Sequence, residues 1–485
     1  MILINYGHDY VYEIQSIVDI FLPGVKIAHR DDLDENCKED YLITKIISKP
    51  NTTSCDLEVI LQFDGKIYND KSKTGTSDKE EVEYAFALMI YNIMRGITGI
   101  VPKWGLLTGI RPVKLAQKKI ALGWSDKKIT DYYINDILLD KSRAKLMLDT
   151  AKQSRPAFDK LSKNSFSLYV SIPFCPSRCS YCSFVSHSIE RTAKLVPDYL
   201  DRLCEEIAFT AKKTSDAGMI LTCIYVGGGT PTSLDAEDLG RVLECIGDSF
   251  DLSNLLEYTV EAGRADTITR EKLAVIKNSG ATRISINPQT FSDDVLQSIG
   301  RKHTVEQVID SFHLAREMGF DNINMDLIAG LNTESLGSFK HSIDSALELS
   351  PENITVHTLA VKRSSDASIT GSAIYDADGG LVSDMLDYAY EKFNEFNYLP
   401  YYLYRQRNMR DNLENVGFGR DGQVCYYNIY TMEEIQTVLA CGAGAVSKSY
   451  NSDTGKIKRV FNYKFPYEYL DGFDVMIERK NSMFL

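Results

Sequence analysis

The chain has 485 residues, 44% of them hydrophobic and 25% charged, and its net charge is −13. A chain of this size builds more than one domain, and its acidic balance speaks against a nucleic-acid binder. No apolar run reaches the ~18 residues that span a bilayer, and the start MILINYGHDYVYEI lacks the basic-then-apolar order of a signal peptide. These features predict a cytoplasmic protein whose ten cysteines stay reduced. Cys204, Cys223 and Cys245 lie among apolar neighbours and read as core residues, as do Cys425 and Cys441.

Residues 1–160 mix short strands and helices and read as an α+β accessory domain. LEVILQF (57–63) is a predicted strand. Ser77 with Glu80 makes a capping box before the helix EEVEYAFALMIYNIM. WGLLTGIRPVKLAQKK (104–119) turns into a basic helix, and KLSKNSFS (160–167) reads as a linker.

Across 161–370 the pattern changes. Strand-like runs fall at 167–172, 220–226, 257–262, 282–287, 322–328 and 354–360. Amphipathic segments near 196–214, 235–248, 268–279, 292–318 and 335–348 separate them. Such alternation predicts an α/β fold with a parallel sheet. Six units fall short of the eight of a full barrel, so we expect a partial (β/α)6 barrel with its site at the C-terminal strand ends. Residues 371–485 hold a helix (381–396), the polar-aromatic run YYLYRQRNMRDN and the segment CGAGAVS. They read as a mainly helical region that covers the substrate.

The chemistry concentrates in FCPSRCSYCSF (174–184), where Cys175, Cys179 and Cys182 share one loop after the first barrel strand. Thiolates are soft ligands for zinc or iron–sulfur clusters. Structural zinc takes four protein ligands, and His187 is the one local histidine. A [4Fe–4S] cluster on three cysteines keeps one iron open; zinc and plain thiols are the alternatives. Tyr181, between the last two cysteines, can shield a cluster or face a ligand. After the second strand comes YVGGGTPTSL (225–234), whose glycines let a ligand approach the backbone. Glu261 ends the third strand, Gln289 follows the fourth in RISINPQTF, Arg301 lies in IGRKHT, and Asp326 lies in the fifth strand. Alone, each has an ordinary structural role. In this order on successive strands they point to one ligand site, with carboxylates for hydroxyls and Arg for a carboxylate.

The triad resembles that of the radical S-adenosylmethionine (radical SAM) enzymes. The lines LYVSIPFC, YVGGGTPT, RISINPQTF, IGRKHT and DLIAGL are similar to one branch, oxygen-independent coproporphyrinogen III oxidase (dehydrogenase). LLTGIRPVKL and YLYRQRNMRDNLENVGFG resemble its longer HemZ-type members. The resemblance implies a [4Fe–4S] cluster on Cys175, Cys179 and Cys182, and S-adenosylmethionine cleaved to a 5′-deoxyadenosyl radical. It implies contacts to a first S-adenosylmethionine from Tyr169, Gly228, Glu261 and Val446. Contacts to a second would come from Tyr181, Gly229, Thr230, Gln289, Arg301, Asp326 and Ala360.

The resemblance further implies oxidative decarboxylation of two propionates of coproporphyrinogen III to vinyl groups, giving protoporphyrinogen IX. An electron donor such as flavodoxin or ferredoxin would be the partner. Lys362, Arg363, Arg405, Arg407 and Arg410 are the expected propionate contacts, with Tyr401, Tyr402 and Tyr404 beside the macrocycle. Two departures matter. Ser171 stands where the family usually has His, and Phe184 stands where the oxidase has a fourth cysteine. The related heme chaperones also carry Phe there, but their His-Asn-x-x-Tyr-Trp motif is missing, and no histidine follows His357. Another radical SAM reaction on a tetrapyrrole, such as methyl transfer or anaerobic heme degradation, is one alternative; heme delivery is the other.

Overall fold

Alternating apolar residues set the first sheet. In the computed structural model, which describes residues 1–34, 37–48, 54–182, 184, 187–360, 380–406, 408–420 and 422–484, two compact units appear. One comprises 1–110, 119–146 and 406–408; the other comprises 111–118, 147–405 and 409–485. The first contains β1 (Ile2–Tyr6), β2 (Ala28–His29), β3 (Tyr41–Ser48), β4 (Cys55–Phe63) and β5 (Lys66–Lys73) in the order β2-β1-β3-β4-β5. Along β4, Cys55, Leu57, Val59 and Leu61 turn inward every second residue. They pack against helices Val11–Phe21 and Lys79–Thr98. The second helix is capped by Asp78, which accepts from the Glu80 N–H at 3.2 Å, and not by Ser77. Asp caps as well as Ser, so the helix starts one residue later than the capping-box pattern suggests.

The second unit is built on β6 (Ser165–Ile172), β9 (Ile220–Gly228), β10 (Glu257–Gly263), β11 (Arg283–Ile286), β12 (Ile323–Ala329) and β13 (Asn353–Thr358). These six strands lie side by side in chain order and all are parallel. They are the six predicted runs, shifted by a residue or two. The short β7 (Phe174–Cys175) and β8 (His187–Ser188) pair with each other across the cysteine loop. Helices Val196–Asp216, Ala236–Ser249, Arg270–Asn278, Val305–Glu317 and Leu336–Leu349 link the strands, as the amphipathic segments predict. This is the α/β partial-barrel architecture expected from the alternation.

The C-terminal region, expected to be mainly helical, carries the helices Leu381–Glu395, Tyr426–Glu433, Pro466–Asp471 and Phe473–Asn481. It also adds five strands to the same sheet: β14 (Leu399–Tyr404), β15 (Asn415–Gly419), β16 (Thr437–Cys441), β17 (Val446–Tyr450) and β18 (Ile457–Phe461). β15 and β14 extend the β13 edge antiparallel. β16 joins β6 parallel, with β17 and β18 beyond it. Short polar-aromatic strands of this kind lack the clean alternation that marks β4.

Between β15 and β16 the chain crosses from one edge of the sheet to the other, and the segment 424–427 touches the strands on the way. Arg283 donates to the Val424 carbonyl at 2.8 Å. Glu257 accepts from the Tyr426 N–H at 2.8 Å and the Cys425 thiol at 3.1 Å. The Tyr427 ring stacks on Tyr225 (4.7 Å) and lies 6.3 Å from Tyr169. Contacts from β6, β9, β10 and β11 to one short segment require the sheet to curl around it. Glu257 and Arg283 are both buried, 3.9 Å apart. Removing one partner strands the other charge, so Arg283→Met is expected to lower the unfolding free energy by roughly 3–5 kcal/mol, read as a shift of the urea midpoint.

Candidate functional site

The cysteine loop leaves β6 at its C-terminal end. Cys175 and Cys179 are buried and Cys182 is half-buried. The Cys182 N–H donates to the Cys179 carbonyl at 3.0 Å, which turns the end of the loop back on itself. Burial pushes the Cys182 thiol up to about 11; the neighbouring Cys179 and Cys175 sulfurs push the same way, against a hydrogen bond from Phe184 and the charge of Arg178. Thiols gathered in this way ionise when a cation neutralises them. Among the described residues, no three His, Cys, Asp or Glu side chains close on a single-ion site.

The glycine run packs directly on this loop. The Gly229 N–H donates to the Ile172 carbonyl at 2.7 Å, and the Thr230 N–H to the Phe174 carbonyl at 2.8 Å. A Cβ at Gly229 would stand 2.5 Å from the Phe174 carbonyl and 3.0 Å from the Cys175 sulfur. Gly228 has φ +108°, a conformation open to glycine and little else. The Thr230 hydroxyl lies 3.4 Å from the Cys175 sulfur. Three thiols on one loop, with a side-chain-free wall beside them, fit a three-cysteine cluster.

Glu261 receives the Tyr225 hydroxyl at 2.5 Å. Burial raises its carboxyl to about 7; Tyr225 works against that rise and Asp326 adds to it. Tyr169 and Tyr225 stack 6.2 Å apart, so the predicted Tyr169 and Glu261 share one surface through Tyr225. The second predicted group also comes together. Tyr181 donates to Gln289 at 3.1 Å, and Arg301 donates to the Tyr181 oxygen at 3.1 Å. Arg301 also donates to the Asn287 carbonyl at 2.5 Å and reaches the Cys179 sulfur. Gln289 sits at φ +71° and bridges to Leu327, with its N–H on the Asp326 carbonyl at 2.9 Å. Burial would raise the Asp326 carboxyl, but His357, Asn324 and Thr355 outweigh it and hold that carboxyl below the usual range.

The remaining predicted residues are more scattered. Ala360 pairs with Met409 past the end of β13. Val446 opens β17, two strands away from β6. The glycine segment before it does reach the site: Ser171 donates to the Ala443 carbonyl at 2.9 Å. That segment is pinned by Glu206, which accepts from the Gly442 N–H at 2.7 Å and from Asn462 at 2.8 Å, and pairs with fully buried Lys480.

The expected propionate contacts separate. Lys362, Arg363 and Arg407 lie outside the described residues. Arg405 is buried and donates to the Asn412 carbonyl at 3.0 Å. Arg410 donates to Asn332 at 3.0 Å. Tyr401 and Tyr402 are core residues, packed with Cys223, Cys425, Ile429 and Tyr430. Strand pairing explains this: β14 puts Tyr402 flat against Gly417, where a Cβ would strike the ring. Tyr225 and Tyr427 were not among the expected site residues. Tyr225 stands two residues before the glycine run, which is a readable position; Tyr427 carries no local sign.

This fold and this site define a radical SAM protein, and the sequence pattern of the radical SAM superfamily matches residues 169–346. The chain is 42% identical over 404 residues to the oxygen-independent coproporphyrinogen-III oxidase-like protein HemZ of Bacillus subtilis, covering 83% of this chain and 81% of that one. It belongs to that family. The heme chaperone HemW of Bacillus subtilis is 41% identical over 197 residues, 40% of this chain and 51% of its own length. Among solved structures, the coproporphyrinogen III oxidase HemN of Escherichia coli, a radical SAM enzyme, shares the fold with a TM-score of 0.51 and 23% identity; 67% of this chain and 73% of that one are covered. Radical SAM proteins use a [4Fe–4S] cluster and S-adenosylmethionine. No helix among the described residues is long and apolar enough to cross a membrane.

Cys175→Ala, Cys179→Ala and Cys182→Ala are each expected to abolish the iron–sulfur absorbance of the anaerobically reconstituted protein. Iron and sulfide assays on the purified variants check it.

Proposed function

We propose that the chain carries out oxidative decarboxylation of coproporphyrinogen III, converting two propionates to vinyl groups and giving protoporphyrinogen IX. The observation that supports this reading is the reach of the similarity. The oxidase-like relative aligns over 404 residues at 42% identity, whereas heme chaperones align over 197 residues at 41% or over 317 at 28%, and an oxygen-independent coproporphyrinogen III oxidase over 204 at 29%. The match that is both longest and highest in identity favours the oxidase-like reading.

When bound, the cluster and S-adenosylmethionine supply a carbon-centred radical. The chain's own residues do the rest. Cys175, Cys179 and Cys182 hold the cluster, and the wall at Gly228 and Gly229 admits the cofactor. Glu261 accepts from its hydroxyls. The stacked Tyr169, Tyr225 and Tyr427 give the pocket beside Glu261 an aromatic wall that limits water, which would quench a radical. Each turnover would pass one propionate hydrogen atom to that radical, release carbon dioxide and hand the remaining electron to a one-electron acceptor, leaving a vinyl group. Lys362, Arg363 and Arg410 would bind the remaining carboxylates, while Arg405, donating to the Asn412 carbonyl, holds the turn that carries Arg410. A small carrier such as flavodoxin or ferredoxin supplies the reducing electron, in the cytoplasm.

Heme delivery is the second reading, favoured by the 41% identity over 197 residues to a heme chaperone and by Phe184. Anaerobic incubation of reconstituted protein with S-adenosylmethionine, reductant and coproporphyrinogen III separates them. Vinyl product with released carbon dioxide supports decarboxylation. Heme binding without turnover supports delivery, and a methylated or linear tetrapyrrole indicates a different radical reaction. In the same assay, Phe184→Cys tests whether that position limits the rate.

A pH dependence also follows. The Glu261 carboxyl, raised to about 7, is protonated below that pH and ionised above it. S-adenosylmethionine affinity is expected to strengthen as pH rises from 6 to 8, by up to about tenfold for a change of one pK unit's worth of free energy. Glu261→Gln should flatten the profile in equilibrium binding measurements.

A further inference from the structure

The cysteine loop is gripped from outside by Arg264 and Asp266, which none of the expected motifs include, together with backbone and His303 of the IGRKHT stretch. Ser177 lies midway between Cys175 and Cys179. Arg264, just past β10, donates from one nitrogen to the Ser177 carbonyl at 3.1 Å and to its hydroxyl at 2.9 Å. The Ser177 hydroxyl donates onward to the Gly300 carbonyl at 3.1 Å. The rest of the guanidinium faces the other way and donates to both oxygens of Asp266, at 3.0 and 2.8 Å. Behind Asp266 stands buried His303, 3.4 Å away. On the far side of Cys179, the Ser180 N–H donates to the Ile299 carbonyl at 3.1 Å.

Arg264 is 3% exposed. A buried guanidinium gives up its hydration, and a well-packed apolar pair serves stability as well or better. What an apolar residue cannot do is fix both polar groups of one residue in a turn. With its carbonyl and hydroxyl both held by Arg264, Ser177 is restricted in φ, ψ and χ1, and the spacing of the cysteines two positions to either side is set. Groups one layer behind metal ligands act in this way.

Resting on the reading of the triad as a three-cysteine cluster site, we propose that Arg264 is a positioning residue for the iron–sulfur cluster. It holds the Cys175–Cys179 span in ligating shape through Ser177, with Asp266 and His303 fixing the guanidinium from behind.

The test uses the full chain, reconstituted anaerobically as wild type, Arg264→Gln, Arg264→Lys, Asp266→Asn and Ser177→Ala. Three readouts are taken: the rate of iron loss to a chelator, the electron paramagnetic resonance line shape of the reduced cluster, and the thermal unfolding of the cluster-free protein. Arg264→Gln and Asp266→Asn should lose iron about tenfold faster or more, with a broadened line shape. Arg264→Lys should fall between, because one ammonium cannot serve Ser177 and Asp266 together. Ser177→Ala, which loses the hydroxyl's bonds to Arg264 and to Gly300 but keeps the carbonyl's bond to Arg264, should show a few-fold effect. Wild-type iron retention and line shape in folded Arg264→Gln overturn the proposal. If that variant does not fold, unchanged retention in both Arg264→Lys and Ser177→Ala overturns it equally. A lowered cluster-free unfolding temperature with an unchanged line shape points to a merely structural role and also overturns it. Failure of the wild type to take up any cluster would instead sink the three-cysteine reading itself.

Discussion

The barrel depends on a buried pair, Glu257 and Arg283, at the start of two neighbouring strands. Six parallel strands do not close on themselves, so their inner face needs another element to bury it. The chain supplies that element from its own distant end. Glu257 takes the Tyr426 N–H and the Cys425 thiol, and Arg283 takes the Val424 carbonyl and, at 2.5 Å, the Asn353 side chain. Each charge is thereby paired and hydrogen-bonded to the segment it anchors, the condition under which buried charges are tolerated. The helix that follows places Tyr427 against Tyr225, and the tyrosine stack becomes the floor of the site.

Above that floor the site is assembled from strand ends that do not touch in sequence. Backbone geometry does much of the work. Gln289 follows Pro288, where regular pairing of β11 stops, and its positive φ turns the chain so that a single bridge to Leu327 resumes the parallel course. The same turn brings the Gln289 side chain to Tyr181. On the other flank, Glu206 collects donors from the glycine segment, from Asn462, from Tyr469 at 2.7 Å and from Lys480. One carboxylate thus joins the long helix after the cysteine loop to the last helix of the chain. The glycine segment stays against β6 because of it.

The core of this was legible in the sequence for a physical reason. Parallel strands are buried on both faces and read as continuous apolar runs, so ILTCIYV and EYTVEA announce themselves. Cluster ligands must share one short loop, so the triad does too. The missed parts are non-local. Nothing near Lys480 signals a partner 274 residues away. Arg264 is visible in EAGRADT, three residues past Glu261, but its partner Ser177 is 87 residues earlier, and a strand-end Arg reads as a solvated charge. YYLYRQRN suggested a ligand surface because tyrosines and arginines look alike whether they face a macrocycle or a core. Only the pairing of β14 with β15, which needs Gly417 beneath Tyr402, decides for the core.

Phe184 gains meaning from the same comparison. Its side chain is 62% exposed, while the first two cysteines of the loop are buried at 9% and 8%. The position two residues past the triad therefore faces out of the thiol pocket and not into it. A cysteine there would not join the cluster ligands by its placement; it would meet whatever approaches the loop from outside. The three thiols come together on the loop without that position. What Phe184 changes is the surface presented to an incoming group, apolar where a thiol could donate a hydrogen or form a bond.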